Sequence, residues 1–246
     1  MMSPAVSLLC LPCAGASATM YLRWRRRVEP WLRIVPVELP GRGVRMDEPY
    51  ATEVEALAAR LVDEHAEDMA GPYVLFGHSM GALLAYHMAL RAERAGGEAP
   101  RLLIVSGSPA PAHRDPSRFE GMDSDQALID DLRKQGGTPE AVLGSRGLRR
   151  FALDTLAADY AMCRAYRYAP RPPLAVPLLV LAGRDDDIAP RAIDAWRDES
   201  RADVRQVWFD GGHFFVKHRE EEVLALLDRS LRPLAEQACH RSVVLA

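Results

Sequence analysis

Ser79 lies at the centre of Gly77-His78-Ser79-Met80-Gly81, directly after the apolar run Tyr73-Val74-Leu75-Phe76 and directly before Ala-Leu-Leu-Ala-Tyr. A strand running into a sharp turn and then a helix lifts a serine hydroxyl clear of the backbone. Small flanking residues are needed because the serine's own backbone is strained and neighbouring chain crowds it. The pentapeptide pattern alone is weak; with strand and helix signals on either side it points to a nucleophile.

A serine hydroxyl attacks poorly at neutral pH without a base, and the base needs an orienting acid. For a serine on such an elbow the expected chain order is serine, acid, histidine. Among seven histidines, His65 and His87 fall in helical patterns, His78 lies inside the elbow and His240 in the C-terminal tail. His213, in Trp-Phe-Asp-Gly-Gly-His-Phe-Phe, occupies a Gly-rich loop just past an apolar run ending at Phe209, where an imidazole can meet Ser79. His218, expected to begin the next helix, is the weaker candidate. For the acid, the run Leu178 to Ala182 leads into Gly-Arg-Asp-Asp-Asp-Ile-Ala-Pro, which holds three adjacent aspartates. The Gly-x-x-Asp spacing with Pro190 four residues later points to Asp186, and leaves Asp185 and Asp187 as solvated or helix-capping neighbours. Two backbone N–H groups must face the developing oxyanion. Met80, after the nucleophile, supplies one; Ala14, in the small-residue loop Leu-Pro-Cys-Ala-Gly-Ala-Ser-Ala, supplies the other.

These residues need a rigid frame. Apolar runs at Val6 to Leu11, Ile34 to Leu39, Tyr73 to Phe76, Leu102 to Val105, Leu178 to Ala182 and Val204 to Phe209 read as buried parallel strands. Helical patterns lie between them. Thr52-Glu53-Val54-Glu55 opens one as a capping box, with Val54, Leu57, Ala58, Leu61 and Val62 on one face. Met80 to Arg94 and Glu220 to Leu231 are two more. Such alternation predicts a parallel sheet with helices on both faces. From Pro109 to Pro173 no strand signal occurs, and helical patches at Asp123 to Lys134, Pro139 to Leu143 and Leu148 to Tyr168 predict a helical lid over the carboxyl edge of the sheet. Arg232 to Ala246 reads as a frayed tail.

Composition narrows the function classes. A chain of 246 residues, 48% hydrophobic, fits a single α/β domain. Its formal net charge of −3 argues against a nucleic-acid binder. The N-terminus lacks the basic and apolar segments of a signal peptide, and no apolar run is long enough for a membrane span, so a soluble, cytoplasmic protein is expected. Four cysteines (Cys10, Cys13, Cys163 and Cys239) are too irregular for a disulfide framework. The Cys10/Cys13 pair straddles a strand end without a second such pair, so structural thiols are expected.

Taken together, Leu-Pro-Cys-Ala-Gly-Ala-Ser, Val-Glu-Leu-Pro-Gly-Arg-Gly, Gly-His-Ser-Met-Gly-Ala-Leu-Leu-Ala-Tyr, Gly-Gly-Thr-Pro-Glu-Ala-Val-Leu, Asp-Tyr-Ala-Met-Cys-Arg-Ala-Tyr-Arg-Tyr-Ala-Pro, Leu-Ala-Gly-Arg-Asp-Asp-Asp-Ile-Ala-Pro and Gly-Gly-His-Phe-Phe-Val resemble the type II thioesterases. These are stand-alone editing enzymes of nonribosomal peptide and polyketide assembly lines, with the α/β-hydrolase fold. The resemblance runs from about Leu8 to Leu231. It implies Ser79 as nucleophile, Asp186 as acid, His213 as base, and Ala14 and Met80 as oxyanion donors. Family members usually carry His at the position of Cys13 and a second Gly at that of Ala16. The implied reaction is hydrolysis of acyl or aminoacyl thioesters on the phosphopantetheine of a separate carrier protein, with no cofactor or metal bound by the chain itself. A monomer is expected. A carboxylesterase, or an acyltransferase or cyclase, would use the same triad. The basic stretch Tyr21 to Arg27 offers either an electrostatic dock for an acidic carrier or an exposed helix face.

Overall fold

The computed structural model describes residues 5–244, with the backbone alone from 238 to 244. The first four residues of the expected leaderless N-terminus, the last two of the expected tail, and the Cys239 and His240 side chains lie outside what is described. The strands are β1 (Val6–Leu11), β2 (Leu32–Pro36), β3 (Tyr73–His78), β4 (Leu102–Ser106), β5 (Leu178–Gly183) and β6 (Val204–Phe209). They form one sheet in the order β2-β1-β3-β4-β5-β6, every neighbouring pair parallel.

The continuous apolar runs follow from burial on both faces. Alternate residues of each strand enter different cores. Leu9, Leu11, Leu75, Leu103, Val105 and Val180 face one side, where they pack with Val54, Leu57 and Leu61 of α1 (Val54–Glu64) and with α2 (Met80–Arg94). Leu8, Cys10, Val74, Phe76, Ile104 and Leu179 face the other side.

No strand forms within the segment between β4 and residue 173. It carries α3 (Asp125–Gln135), α4 (Glu140–Gly144) and α5 (Arg146–Ala165). Beyond β5 come α6 (Pro190–Asp194), then α7 (Phe215–His218) and α8 (Glu220–Val244) after β6. Val223, Leu227 and Leu231 of α8 complete the second core.

Parallel strands present all their carboxyl ends at one edge of the sheet. The chain leaves β1 toward β2 and leaves β3 toward β4, so the strand order reverses between β1 and β3. A crevice opens at such a reversal. The loop after β1 and the turn after β3 border it, and the loops after β5 and β6 reach the same edge.

Four local expectations need correction. The second strand is Leu32–Pro36, not Ile34 to Leu39, because its ladder partner β1 ends at Leu11; Val37 donates one further bond to the Cys10 carbonyl, and Val37 and Leu39 are buried beyond the strand. Helix α1 begins after Glu53, whose side chain caps nothing, so the Thr52 capping box does not form. His218 ends the short α7 instead of opening a helix. The segment from Arg232 continues α8 through Pro233 to Val244, because Leu231 and Ala235 are buried and Arg232 both pairs with Asp228 and covers the Trp31 ring.

Tyr21 and Trp24 of the basic stretch are core residues, edge-on to each other and to Phe76. Arg27 pairs with Glu220 and Glu221. The stretch forms short 3-10 turns at Ala18–Tyr21 and Trp24–Arg26, so it presents arginines without aromatics.

His87 of α2 is buried, with its Nε2 3.3 Å from the Tyr166 hydroxyl and Nδ1 3.8 Å from Glu55. Burial, with Arg171, Arg94 and Arg114 nearby, lowers its pKa to about 3. The unfolded chain takes up this proton near an ordinary pKa of about 6.5, the folded chain only near 3. Between those values stability falls as pH falls, by about 1.4 kcal/mol per pH unit. Thermal melts at pH 7, 6 and 5 are expected to show a decreasing Tm, with a shallower slope in His87→Gln; a slope unchanged by that substitution contradicts the assignment.

Candidate active site

Ser79 has φ 56° and ψ −112°, and is the one non-glycine residue with positive φ among the described residues. The conformation is held from both sides. Ser79 N–H donates to the Ser106 carbonyl at 2.8 Å, and the Ser79 carbonyl accepts from Ala82 N–H at 3.1 Å.

The elbow's glycines are required by packing. A Cβ on Gly77 would lie 2.0 Å from the Gly81 carbonyl oxygen, and one on Gly81 would lie 2.3 Å from that of Leu11. The second contact draws the end of β1, and the loop containing Ala14, against the start of α2. Because both obstructions are backbone, Gly77→Ala is expected to destabilise the protein by at least about 3 kcal/mol. A urea melt close to that of the parent would contradict this.

Met80 is the first residue of α2, so its N–H has no intrahelical acceptor. Ala14 is the second residue of a turn in which Ala16 N–H donates to the Cys13 carbonyl at 3.1 Å. Gly15 follows at φ 74°, the third-position geometry of a type II turn.

The histidine and acid loops are joined through backbone. A Cβ on Gly183 would come within 2.5 Å of the Gly211 carbonyl oxygen, and Asp185 N–H donates to that same oxygen at 3.1 Å. This brings Asp186 Oδ2 to 2.8 Å from His213 Nδ1, with the Asp186 side chain 6% exposed and that of His213 16% exposed. With the proton on Nδ1, His213 donates to Asp186 and leaves Nε2 free to accept. Asp185 is exposed, and Asp187 forms a surface pair with Lys134 at 2.6 Å; neither caps α6, whose N-cap is Ala189. The sheet thus brings Asp186 and His213 into contact, and sets Ser79, Met80 and Ala14 at the same edge.

His78 is wholly buried beneath this edge, its ring centroid 5.1 Å from that of His213. Its Nδ1 lies 3.0 Å from Ser106 Oγ, and Nε2 has no partner among the described residues. Burial, reinforced by His213, pushes its pKa well down, so it stays neutral and packs as part of the site's floor. Cys10 and Cys13 are free thiols, both pushed to high pKa by burial, Cys13 to about 11. Among the described residues no three His, Cys, Asp or Glu side chains gather as a metal site.

Two residues absent from the sequence-based site stand beside it. Arg42 and Asp159 are 2% and 3% exposed and form a bidentate pair at 2.6 Å and 2.6 Å. A sequence signal existed in Asp159, which shares a helix face with Leu156 and Tyr160; an aspartate on a buried face demands a partner.

The Thioesterase domain family model matches residues 6–231. The chain is 35% identical to the RedJ thioesterase of the prodiginine pathway of Streptomyces coelicolor, with a TM-score of 0.82 over 92% of this chain and 90% of that one. It is 34% identical to the type II thioesterase BorB from the borrelidin biosynthetic cluster, with a TM-score of 0.83 over 91% of each chain. It is also 37% identical over 233 residues to the AMB antimetabolite synthetase AmbE of Pseudomonas aeruginosa, covering 94% of this chain but 11% of that much longer protein. The chain belongs to the thioesterase family of α/β-hydrolases. Within it, this is a type II thioesterase, as its sequence motifs imply.

Proposed function

We propose that the enzyme hydrolyses acyl or aminoacyl thioesters carried on the phosphopantetheine of a separate carrier protein, and so clears misprimed or stalled synthases. Support comes from the Asp186–His213 hydrogen bond, formed at the same sheet edge as the strained Ser79. His213 Nε2 takes the Ser79 proton as Oγ attacks the acyl carbon. The N–H groups of Met80 and Ala14 receive the oxyanion. As the tetrahedral intermediate collapses, the phosphopantetheine sulfur takes this proton from His213 and leaves as the thiol. His213 then deprotonates a water that attacks the acyl-enzyme, and the proton returns to Ser79 Oγ as the acid is freed. A thiol leaves readily near neutral pH, so the site needs less leaving-group assistance than a peptide bond would demand.

The segment 109–173 is the lid in this reading. Its contacts with the active-site loops are specific: Lys134 pairs with Asp187, Lys217 donates to the Gly137 carbonyl at 2.7 Å, and a Cβ on Gly137 would strike the Phe214 ring. The whole chain works as one α/β-hydrolase domain, as a cytoplasmic monomer. Among the described residues no helix is long and apolar enough to cross a membrane.

The reading is tested by mass spectrometry of the enzyme mixed with an acyl-N-acetylcysteamine thioester. A transient acyl adduct mapping to the peptide that contains Ser79 is expected; release of acid without any such adduct would overturn the covalent mechanism. Reversing the charges of Arg25 to Arg27 tests docking. A several-fold loss in kcat/KM on carrier-bound substrate at low salt, with small thioesters unaffected, is expected if that face meets an acidic carrier; no loss excludes it.

A further inference from the structure

Arg42 lies in the Pro-Gly-Arg-Gly loop after β2, and Asp159 in the middle of α5, 117 positions away. Their paired charges are buried together; two of the remaining hydrogen bonds run to the backbone of the Ala14 turn, and the third stays within Arg42's own loop. Asp159 Oδ2 accepts from Gly15 N–H at 2.8 Å, while Arg42 Nη1 donates to the Ala16 carbonyl at 3.1 Å and Nε to the Pro40 carbonyl at 3.4 Å. The Gly15 N–H belongs to the central peptide of the Cys13–Ala16 turn, the unit whose flip distinguishes type I from type II geometry. Leu156, one helical turn before Asp159, closes on the same turn: a Cβ on Gly15 would lie 3.1 Å from its Cδ1.

We propose that Arg42 and Asp159 are a positioning pair for the reaction, fixing the turn that aims the Ala14 N–H at the oxyanion and tying that aim to the seating of α5. The inference rests on the reading of Ala14 as an oxyanion donor. Its consequence is specific. The pair touches neither nucleophile nor base, so its loss weakens the transition state more than the bound substrate. Removal of a single oxyanion donor elsewhere lowers kcat by about 10²–10³-fold. A donor that is misaimed but still present should cost about ten- to a hundredfold.

Removing one partner strands a buried charge and risks the fold, whereas replacing both with apolar residues of similar size is often tolerated. The test therefore uses Arg42→Met/Asp159→Leu, with Arg42→Lys, which keeps both charges, carrying the same readouts if the double variant does not fold, and Asp159→Asn, which leaves the Arg42 charge unpaired, made alongside. Each is assayed on an acyl-N-acetylcysteamine thioester for kcat and KM, and for affinity toward an alkylboronic acid, whose tetrahedral serine adduct places an oxygen in the oxyanion position. Expected in the folded double variant are a kcat lowered at least about tenfold, KM within about threefold of the parent, and boronate affinity lowered in step with kcat. Asp159→Asn, which keeps an oxygen for Gly15 N–H, should recover part of the loss. A folded variant with parental kcat, or with a change confined to KM, overturns the proposal. Ser79→Ala is run beside them. If it stays active, the reading of the site itself fails; if it is inactive while the paired variants are unaffected, only the positioning role fails.

Discussion

Ser79→Ala is expected to lower thioester turnover by about a thousandfold or more, with KM little changed and the fold intact. In the proposed mechanism this Oγ forms the acyl-enzyme, and without it only the background from binding and oxyanion stabilisation remains. Steady-state kinetics on a small acyl thioester, paired with a thermal melt, checks both halves. Ser79→Gly separates chemistry from strain. At φ 56° a side chain is disfavoured, and glycine accepts this conformation freely, so the glycine variant should be equally inactive yet more stable, by about 1 kcal/mol. If Ser79→Gly proves no more stable than Ser79→Ala, the elbow does not store strain at this residue.

Asp186→Asn is expected to cost about 10³–10⁴-fold in kcat, while Asp187→Asn, at the next residue, should stay within about twofold of the parent. The contrast follows from geometry. Asp186 Oδ2 receives the Nδ1–H of His213 at 2.8 Å, and an amide in its place can turn its own N–H toward Nδ1, leaving the imidazole in the wrong tautomer. Asp187 and Lys134 are 67% and 65% exposed, and such surface pairs contribute about 1 kcal/mol at most. Equal losses in the two variants would mean that the loop as a whole matters, not the carboxylate on His213.

What could be read from the sequence was what local chemistry dictates. Helix α2 was expected at Met80 to Arg94 and is found there, because the strand, elbow and helix must adjoin for the serine to be presented at all. Both faces of the sheet were implied by unbroken apolar runs. The misjudged elements depend on partners that sequence does not display. β2 ends at Pro36, opposite Cys10 and one residue before β1 itself ends, a fact about pairing and not about Val37 or Leu39, which are as apolar as the strand itself. The C-terminal helix outlasts Pro233 because Leu231 and Ala235 find a core to cover, and α1 starts at Val54 because its apolar face, not Thr52, sets the first turn. Among the site residues, three neighbouring aspartates differ only in the direction each loop position faces, which spacing could indicate but not measure. Arg42 and Asp159 each sit in a conspicuous motif; that the two motifs meet is a property of the folded chain alone.

The most direct test of the central claim is release of free acid from an acyl-phosphopantetheinyl carrier protein, measured against the same acyl group on an oxygen ester, with parent enzyme and Ser79→Ala. Fast, Ser79-dependent release from the carrier with slow oxygen-ester cleavage is the predicted result. Preference for the oxygen ester, or carrier release that survives Ser79→Ala, would contradict the account of a carrier-directed serine thioesterase.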